Sequence, residues 1–143
     1  MDKQIYQELD TLYRSIRALA AQVGGGDFLG WQDISSSANI VGWAGYDTKQ
    51  VELRYLNLDT LLLNFVIVGE SNSDATYIEL PVASETYAFA SLAYTQDNSV
   101  VASAPGLIRV QNGVAAMYTT PSLGVWTASG LKGVAGQIIY RSV

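Results

Sequence analysis

Apolar residues recur at intervals of four and three along the first 23 positions, which is the spacing of a coiled-coil helix. Polar and charged residues occupy most of the positions between them. The pattern predicts a stalk helix over residues 1–23 that joins copies of the chain through one stripe. A single amphipathic helix folded onto its own domain remains the alternative. The residues of this helix stripe are Ile5, Leu9, Leu12, Ile16, Leu19 and Val23.

Three glycines at 24–26 end the helical pattern. Glycine commonly terminates helices and leaves the backbone free to turn. We therefore expect a Gly-rich joint over residues 24–27, which separates the coiled-coil stalk from a second unit over residues 28–143.

From residue 28 onward, β-branched and aromatic residues alternate with polar ones, and turn residues recur roughly every 8 to 15 positions. Asn112-Gly113 is the strongest turn signal, because this dipeptide favours a two-residue type I′ hairpin. The sequence predicts a mainly β chain whose body is an antiparallel, jelly-roll-like β-sandwich. The predicted strands are 31–34, 40–46, 50–56, 61–68, 75–80, 87–94, 99–102, 107–111, 114–119, 123–128 and 136–142.

The predicted strand over residues 61–68 is apolar on both faces. Leu61, Leu63, Phe65 and Ile67 alternate with Leu62, Asn64, Val66 and Val68. A sandwich strand in a monomer buries one face and leaves the other in water. The second apolar face therefore predicts that another protein surface packs against it. We expect this surface to belong to a neighbouring copy of the chain in a homotrimer.

The composition indicates that part of the surface of the chain is buried against other protein. Hydrophobic residues make up 49% of the 143 residues, while charged residues make up only 15%, against roughly 25% in an average soluble domain. The net charge of −5 argues against nucleic acid as a partner. No apolar run approaches the length of about 18 residues that membrane insertion requires. The charged N-terminus lacks the apolar core of an export signal.

The set of residues in this chain excludes several kinds of active site. The chain contains no cysteine and no histidine, which removes thiolate metal sites and serine catalysis assisted by histidine. The acidic pairs Glu79 with Glu85 and Glu70 with Asp74 do not show a spacing that selects a glycosidase pair. We predict no enzymatic activity, no cofactor and no metal site.

Six aromatic residues near predicted strand ends are candidates for contact with a ligand, because exposed rings can stack on sugars or anchor a protein contact. The alternative is that they fill the core and the contacts between subunits. These residues are Trp31, Trp43, Tyr46, Tyr94, Tyr118 and Trp126.

The order of the β motifs resembles the C-terminal head domains of tailed-bacteriophage fibre proteins. "GW" at 30–31 leads to "YLNLDTLLLNFVIVGES" and then to "YIELPVA", and the chain ends in "GVWTASGLKGVAGQIIYRSV". The sequence departs from the family pattern at Leu58-Asp59, where a glycine turn is common. The positions that match are Tyr55, Leu61, Leu63, Phe65, Ile67, Gly69, Thr76, Ile78, Leu80 and Pro81.

The resemblance implies a homotrimeric virion protein that is made soluble in the host cytoplasm. We expect a short, complete fibre that displays β-sandwich heads for contact with the host surface. Its expected partners are its own copies, other virion proteins at the N-terminal region, and a host cell-surface glycan or protein. A capsid decoration protein is the alternative function, and a polysaccharide-cleaving enzyme is a third.

Overall fold

A computed structural model describes residues 3–23, 30–86 and 88–143, and within the helix it describes side chains as far as Arg17. The predicted joint at 24–27 lies outside the described residues. The described chain forms one helix, α1 (Lys3–Val23), and ten strands. The strands are β1 (Gln32–Asp33), β2 (Ile40–Val41), β3 (Trp43–Tyr55), β4 (Thr60–Ser71), β5 (Tyr77–Glu79), β6 (Phe89–Asp97), β7 (Val100–Val101), β8 (Gly106–Gln111), β9 (Val114–Tyr118) and β10 (Leu131–Arg141).

The ten strands belong to one antiparallel sheet. Their order is β1-β3-β4-β10-β6-β8-β9-β5-β2, and β7 pairs with β6. β2 is the last strand in this order and β3 is second from the other end, yet only Gly42 separates them along the chain. The sheet must therefore curl until its two ends lie side by side. The prediction of a mainly β, antiparallel fold with one N-terminal helix is confirmed.

β4 supplies the centre of the core. Leu61, Leu63, Phe65 and Ile67 are completely buried, and each such side chain contributes about 1.5–3 kcal/mol by leaving water. Inward residues of β3, β8 and β10 cover them, because the curled sheet brings these strands around β4. Among these are Val51, Ile108, Val110, Ile138 and Tyr140, which are almost completely buried.

β6 connects the two halves of the curled sheet. Residues 89–93 of β6 pair with β8, and residues 93–96 pair with β10. Ala93 is shared by both pairings and lies opposite Gly136 on β10 and Gly106 on β8. A Cβ atom on Gly136 would lie 2.7 Å from Cδ1 of Ile108. Small residues thus permit the close approach of three strands at this point.

The β8–β9 hairpin has the predicted turn. Asn112 and Gly113 have φ angles of 56° and 81°, and two positive values in succession define the type I′ turn. The flanking strands pair in register from Leu107 opposite Tyr118 to Gln111 opposite Val114.

The predicted strand over residues 123–128 is wrong. This segment is irregular, and Leu123 has a φ of 66°, which lies outside the β region. The Trp126 backbone N–H donates to the carbonyl of Asp74 at 3.2 Å, and the Trp126 ring is buried. Burial of the Trp126 ring therefore determines the conformation of this segment, and strand pairing does not. The predicted strands over 40–46 and 50–56 are instead the short β2 and the long β3, whose pairing with β4 shifts register twice.

Candidate functional site

The helix stripe is open to solvent in the single chain. Ile5, Leu9, Leu12 and Ile16 are exposed by 46%, 56%, 58% and 45%. Every described side chain of α1, from Lys3 to Arg17, is exposed, so the helix does not bury this stripe against the sheet. Leu19 and Val23 are also part of α1, but their side chains lie outside the described part.

Interactions within α1 give the helix only modest support. Asp10 and Arg14 form an ion pair of 3.0 Å with both side chains largely exposed, and the Arg17 guanidinium lies 5.7 Å from the ring centre of Tyr13. Exposed pairs of this kind contribute about 0.3–0.5 kcal/mol. Most of the stability of helices in proteins comes from packing of the apolar face against other elements. The stripe is therefore the main source of further stabilisation that α1 has available.

The second apolar face of β4 continues onto its neighbours on the outside of the sheet. Val66 pairs with Ala135 of β10, and Ala135 pairs in turn with Tyr94 of β6. Leu62 pairs with Ile139 of β10. We call this surface the outer face, and it consists of Leu62, Val66, Val68, Leu92, Tyr94, Val101, Ala135 and Ile139.

A parallel row of residues extends the outer face as far as β7. Val68 pairs with Gly133, Gly133 with Gln96, and Gln96 with Val101. A Cβ atom on Gly133 would meet the side chains of Val68 at 3.5 Å and Gln96 at 3.3 Å. The two side chains thus close over the glycine and make the row continuous.

The centre of the outer face is uncharged. Between Leu62 and Val68, the outward residues of β4 and the described residues paired with them on β10 and β6 include no Asp, Glu, Lys or Arg. The neighbouring strand β3 carries Glu52 opposite Asn64 and Arg54 opposite Leu62. An uncharged centre beside a charged border is typical of a protein–protein contact.

Four of the six aromatic candidates are open or half-buried, and they lie on different parts of the domain. Trp31 is exposed with the Arg54 guanidinium 5.8 Å from its ring centre, and Tyr46 is exposed with Lys49 at 5.0 Å. Tyr94 belongs to the outer face. The fourth is Tyr118, which accepts a hydrogen bond of 3.2 Å from Arg109. The structure does not bring these four rings together into one site.

Tyr118 also borders an open groove of about 290 Å³. Asp74, Tyr77 and Val125 line the same groove. It combines apolar and polar side chains, and the one buried polar residue of its lining, Thr76, already accepts a hydrogen bond from Lys132.

The remaining two aromatic candidates, Trp43 and Trp126, are buried around a lysine. The Nζ atom of Lys132 lies 5.2 Å from the ring centre of Trp43 and 5.3 Å from that of Trp126. Both indole N–H groups donate to backbone carbonyls, those of Lys132 and Met117. Neither ring is open to a ligand in solution, so both serve the core.

Lys132 is completely buried, and its three protons are all donated. Nζ donates to the carbonyls of Gly42 and Ser73 at 2.9 Å each, and to Oγ1 of Thr76 at 2.7 Å. Burial lowers the pKa of Lys132 to about 8, an effect that the charges of Asp97 and Asp74 partly oppose. The amine cannot reach a substrate, so its role is to hold the junction of β2 and β3 against the loop before β5.

The sequence pattern around Lys132 does not indicate that this residue is buried. In "GLKGVAGQ" the lysine alternates with small and apolar residues, as a solvent-facing lysine on a strand would. Its partners are 90, 59 and 56 positions away along the chain. No local signal could therefore have indicated its burial.

The acidic residues considered as glycosidase pairs are exposed or half-buried. Glu70, Asp74 and Glu79 are exposed. Among the described residues, no set of three acidic side chains is placed so that it could hold a metal ion. No described helix has the length and apolar character that a membrane span requires.

Comparison with protein-family models, with curated proteins and with solved structures finds no match. The function proposed below therefore depends on the residues of this chain and their geometry.

Proposed function

We propose that this protein is a structural component of a bacteriophage particle, a short homotrimeric fibre. In this proposal α1 joins three chains in a coiled coil, and the β-domain, residues 30–143, forms a jelly-roll-like head that contacts the host surface. The observation that carries the proposal is the exposed helix stripe. Other virion proteins at the N-terminal region and a host glycan or protein are its proposed partners.

The exposed stripe supports self-association, because burying its apolar side chains would give α1 the stabilisation that the helix lacks in a single chain. Complete burial of a Leu or Ile side chain contributes about 1.5–3 kcal/mol, and four described stripe residues are about half exposed. Association would thus contribute several kcal/mol per chain to the stability of α1. Side-chain pairs within the helix contribute only a few tenths of a kcal/mol each.

The residues of the stripe favour three helices over two. Leu9 and Ile16 occupy the a positions, while Ile5 and Leu12 occupy the d positions. Two-stranded coiled coils prefer β-branched residues at a with leucine at d, and this chain mixes the two types. Tyr6 and Tyr13 at the e positions widen the stripe, and a wider stripe is covered more fully by two neighbours than by one.

A trimer of this kind would act by display and binding without turnover. Linked heads gain avidity through effective concentration, so each head can bind weakly. The exposed rings of Trp31 and Tyr46 are available on each head for such contacts.

Particles that lack the protein would test this function. A fibre predicts a fall in adsorption to host cells with unchanged survival on heating. A capsid decoration protein predicts the reverse, a loss of heat resistance with normal adsorption. Purified protein incubated with host capsule or lipopolysaccharide should release no new reducing ends, and their release would favour a polysaccharide-cleaving enzyme instead.

A further inference from the structure

We infer that the outer face is a contact surface between β-domains, and that its occupant is a second copy of this chain. The inference rests on the proposed function, since it takes the association through α1 as given. It adds that the heads touch one another, and it names the residues through which they do so.

The outer face exposes more apolar surface than isolated surface residues would. Leu92, Tyr94 and Ile139 are exposed by 60%, 55% and 53%. They lie on the same face of the sheet, because Tyr94 pairs with Ala135, Ile139 is on the same side of β10 as Ala135, and Leu92 is on the same side of β6 as Tyr94. An apolar patch of a few hundred Å² has the size of the largest patch on a typical monomer, and such patches are often functional.

The chemistry of the outer face fits another uncharged surface. The polar residues that lie between its members are Asn64, Gln96 and Gln137, whose side chains can both donate and accept hydrogen bonds. A charged partner would lose its hydration there without gaining an opposite charge. A second copy supplies the same uncharged face and so avoids that cost.

The size of the outer face distinguishes a linked copy from an independent partner. It crosses β4, β10, β6 and β7, which is about 15 Å at a strand spacing of about 4.8 Å. Leu62 to Val68 extends about 20 Å at about 3.4 Å per residue. The resulting area of about 300 Å² is well below the roughly 800 Å² per partner of a standard interface. It is sufficient for a copy that α1 already holds nearby, because linkage raises the effective concentration to about millimolar.

Three-fold symmetry determines which parts of the outer face meet. A cyclic trimer joins two different parts of each chain's surface. When three outer faces point toward the axis, the β4 side of one face packs against the β6 side of the next. Leu92 and Tyr94 border a groove of about 410 Å³, with residues 102–105 on its other side. This groove gives the side chains of the neighbouring β4 a place to insert.

Cysteine labelling of the full chain tests the inference directly, because the chain has no cysteine of its own. Tyr94→Cys and Leu92→Cys each place one thiol on the outer face. Ser122→Cys places one on an exposed turn and serves as the control. Each variant is treated with a bulky maleimide, both in the wild-type background and with Leu12→Asp, which separates the chains.

We expect the thiols at 92 and 94 to react at least tenfold more slowly than the thiol at 122 in the oligomer. Their rates should rise to the control rate in the Leu12→Asp background. An oligomer in which all three thiols react equally fast would overturn the inference and leave the proposed function intact. A monomeric wild-type chain would overturn both. Melting curves of each variant verify that the domain is folded.

Discussion

The ammonium group of Lys132 donates a hydrogen bond of 2.7 Å to the hydroxyl of Thr76, and both residues are buried. Thr76 immediately precedes β5, whereas Lys132 belongs to β10. The same ammonium group binds the carbonyl of Gly42, where β2 meets β3. One side chain thus joins the two ends of the curled sheet to a central strand.

Replacing Lys132 with methionine should destabilise the β-domain. The change keeps an unbranched side chain, but it removes three donated hydrogen bonds from buried acceptors. We expect the free energy of unfolding to fall by about 2 kcal/mol. Urea unfolding measures this, with Lys3→Met on the exposed surface of α1 as the control, which should change stability by less than about 0.5 kcal/mol. Equal effects of the two changes would show that the buried amine contributes no more to the free energy of unfolding than an exposed lysine does.

The stability of the wild type should rise between pH 7.5 and 9.5. In the unfolded chain Lys132 keeps its proton up to its ordinary pKa of 10.5, but in the folded chain burial lowers this pKa to about 8. The unfolded state then binds more protons across this window, so the free energy of unfolding rises with pH, on the order of 1–2 kcal/mol. Burial raises the pKa of Tyr140 to about 12, which lowers stability above about pH 10, and the measurement therefore stays below that value.

The Lys132→Met variant is the control for this pH dependence. It should show a flatter profile in urea titrations over the same window, because it has no buried amine to deprotonate. A wild-type profile that is flat, or that matches the variant, would contradict the account of Lys132.

Replacing Gly113 with valine should destabilise the β8–β9 hairpin. Gly113 has open space around the position of a Cβ atom but a φ of 81°, which a β-branched residue adopts at a cost of about 1–2 kcal/mol. Gly45 also has open space but no positive φ, so Gly45→Val separates the effect of φ from that of size. We expect a lower melting temperature only for the change at 113. Similar melting temperatures for the two variants would reject the role of backbone conformation.

Local patterns predicted those parts of the fold that local physics determines. The type I′ turn at Asn112-Gly113 follows from two residues that tolerate positive φ. The buried face of β4 follows from strict alternation over residues 61–68. The helix over Lys3–Val23 follows from the spacing of its apolar residues.

The features that the sequence did not predict depend on distant parts of the chain. The alternation of β-branched and aromatic residues with polar ones predicts a strand around Trp126, but its ring is fixed by a hydrogen bond to the Met117 carbonyl. The burial of Lys132 depends on Gly42 and Thr76. The sequence pattern shows only the part of the outer face that belongs to β4, because the other members come from β6, β7 and β10 through strand pairing.

Leu12→Asp should weaken self-association. The change puts a charge in the centre of the helix stripe, where association would have to desolvate it. We expect the dissociation constant of the oligomer to rise more than tenfold in sedimentation equilibrium. Thr11→Asp adds the same charge at the adjacent position, which lies outside the stripe, and should leave association within about threefold of the wild type. If both variants associate as the wild type does, α1 is not the joining element.

The mass of the full chain in solution tests the central claim most directly. Mass photometry or sedimentation at micromolar concentration should give three times the chain mass of 15.4 kDa. A folded species with the mass of one chain would contradict the account, because the helix stripe and the outer face would then both remain in water.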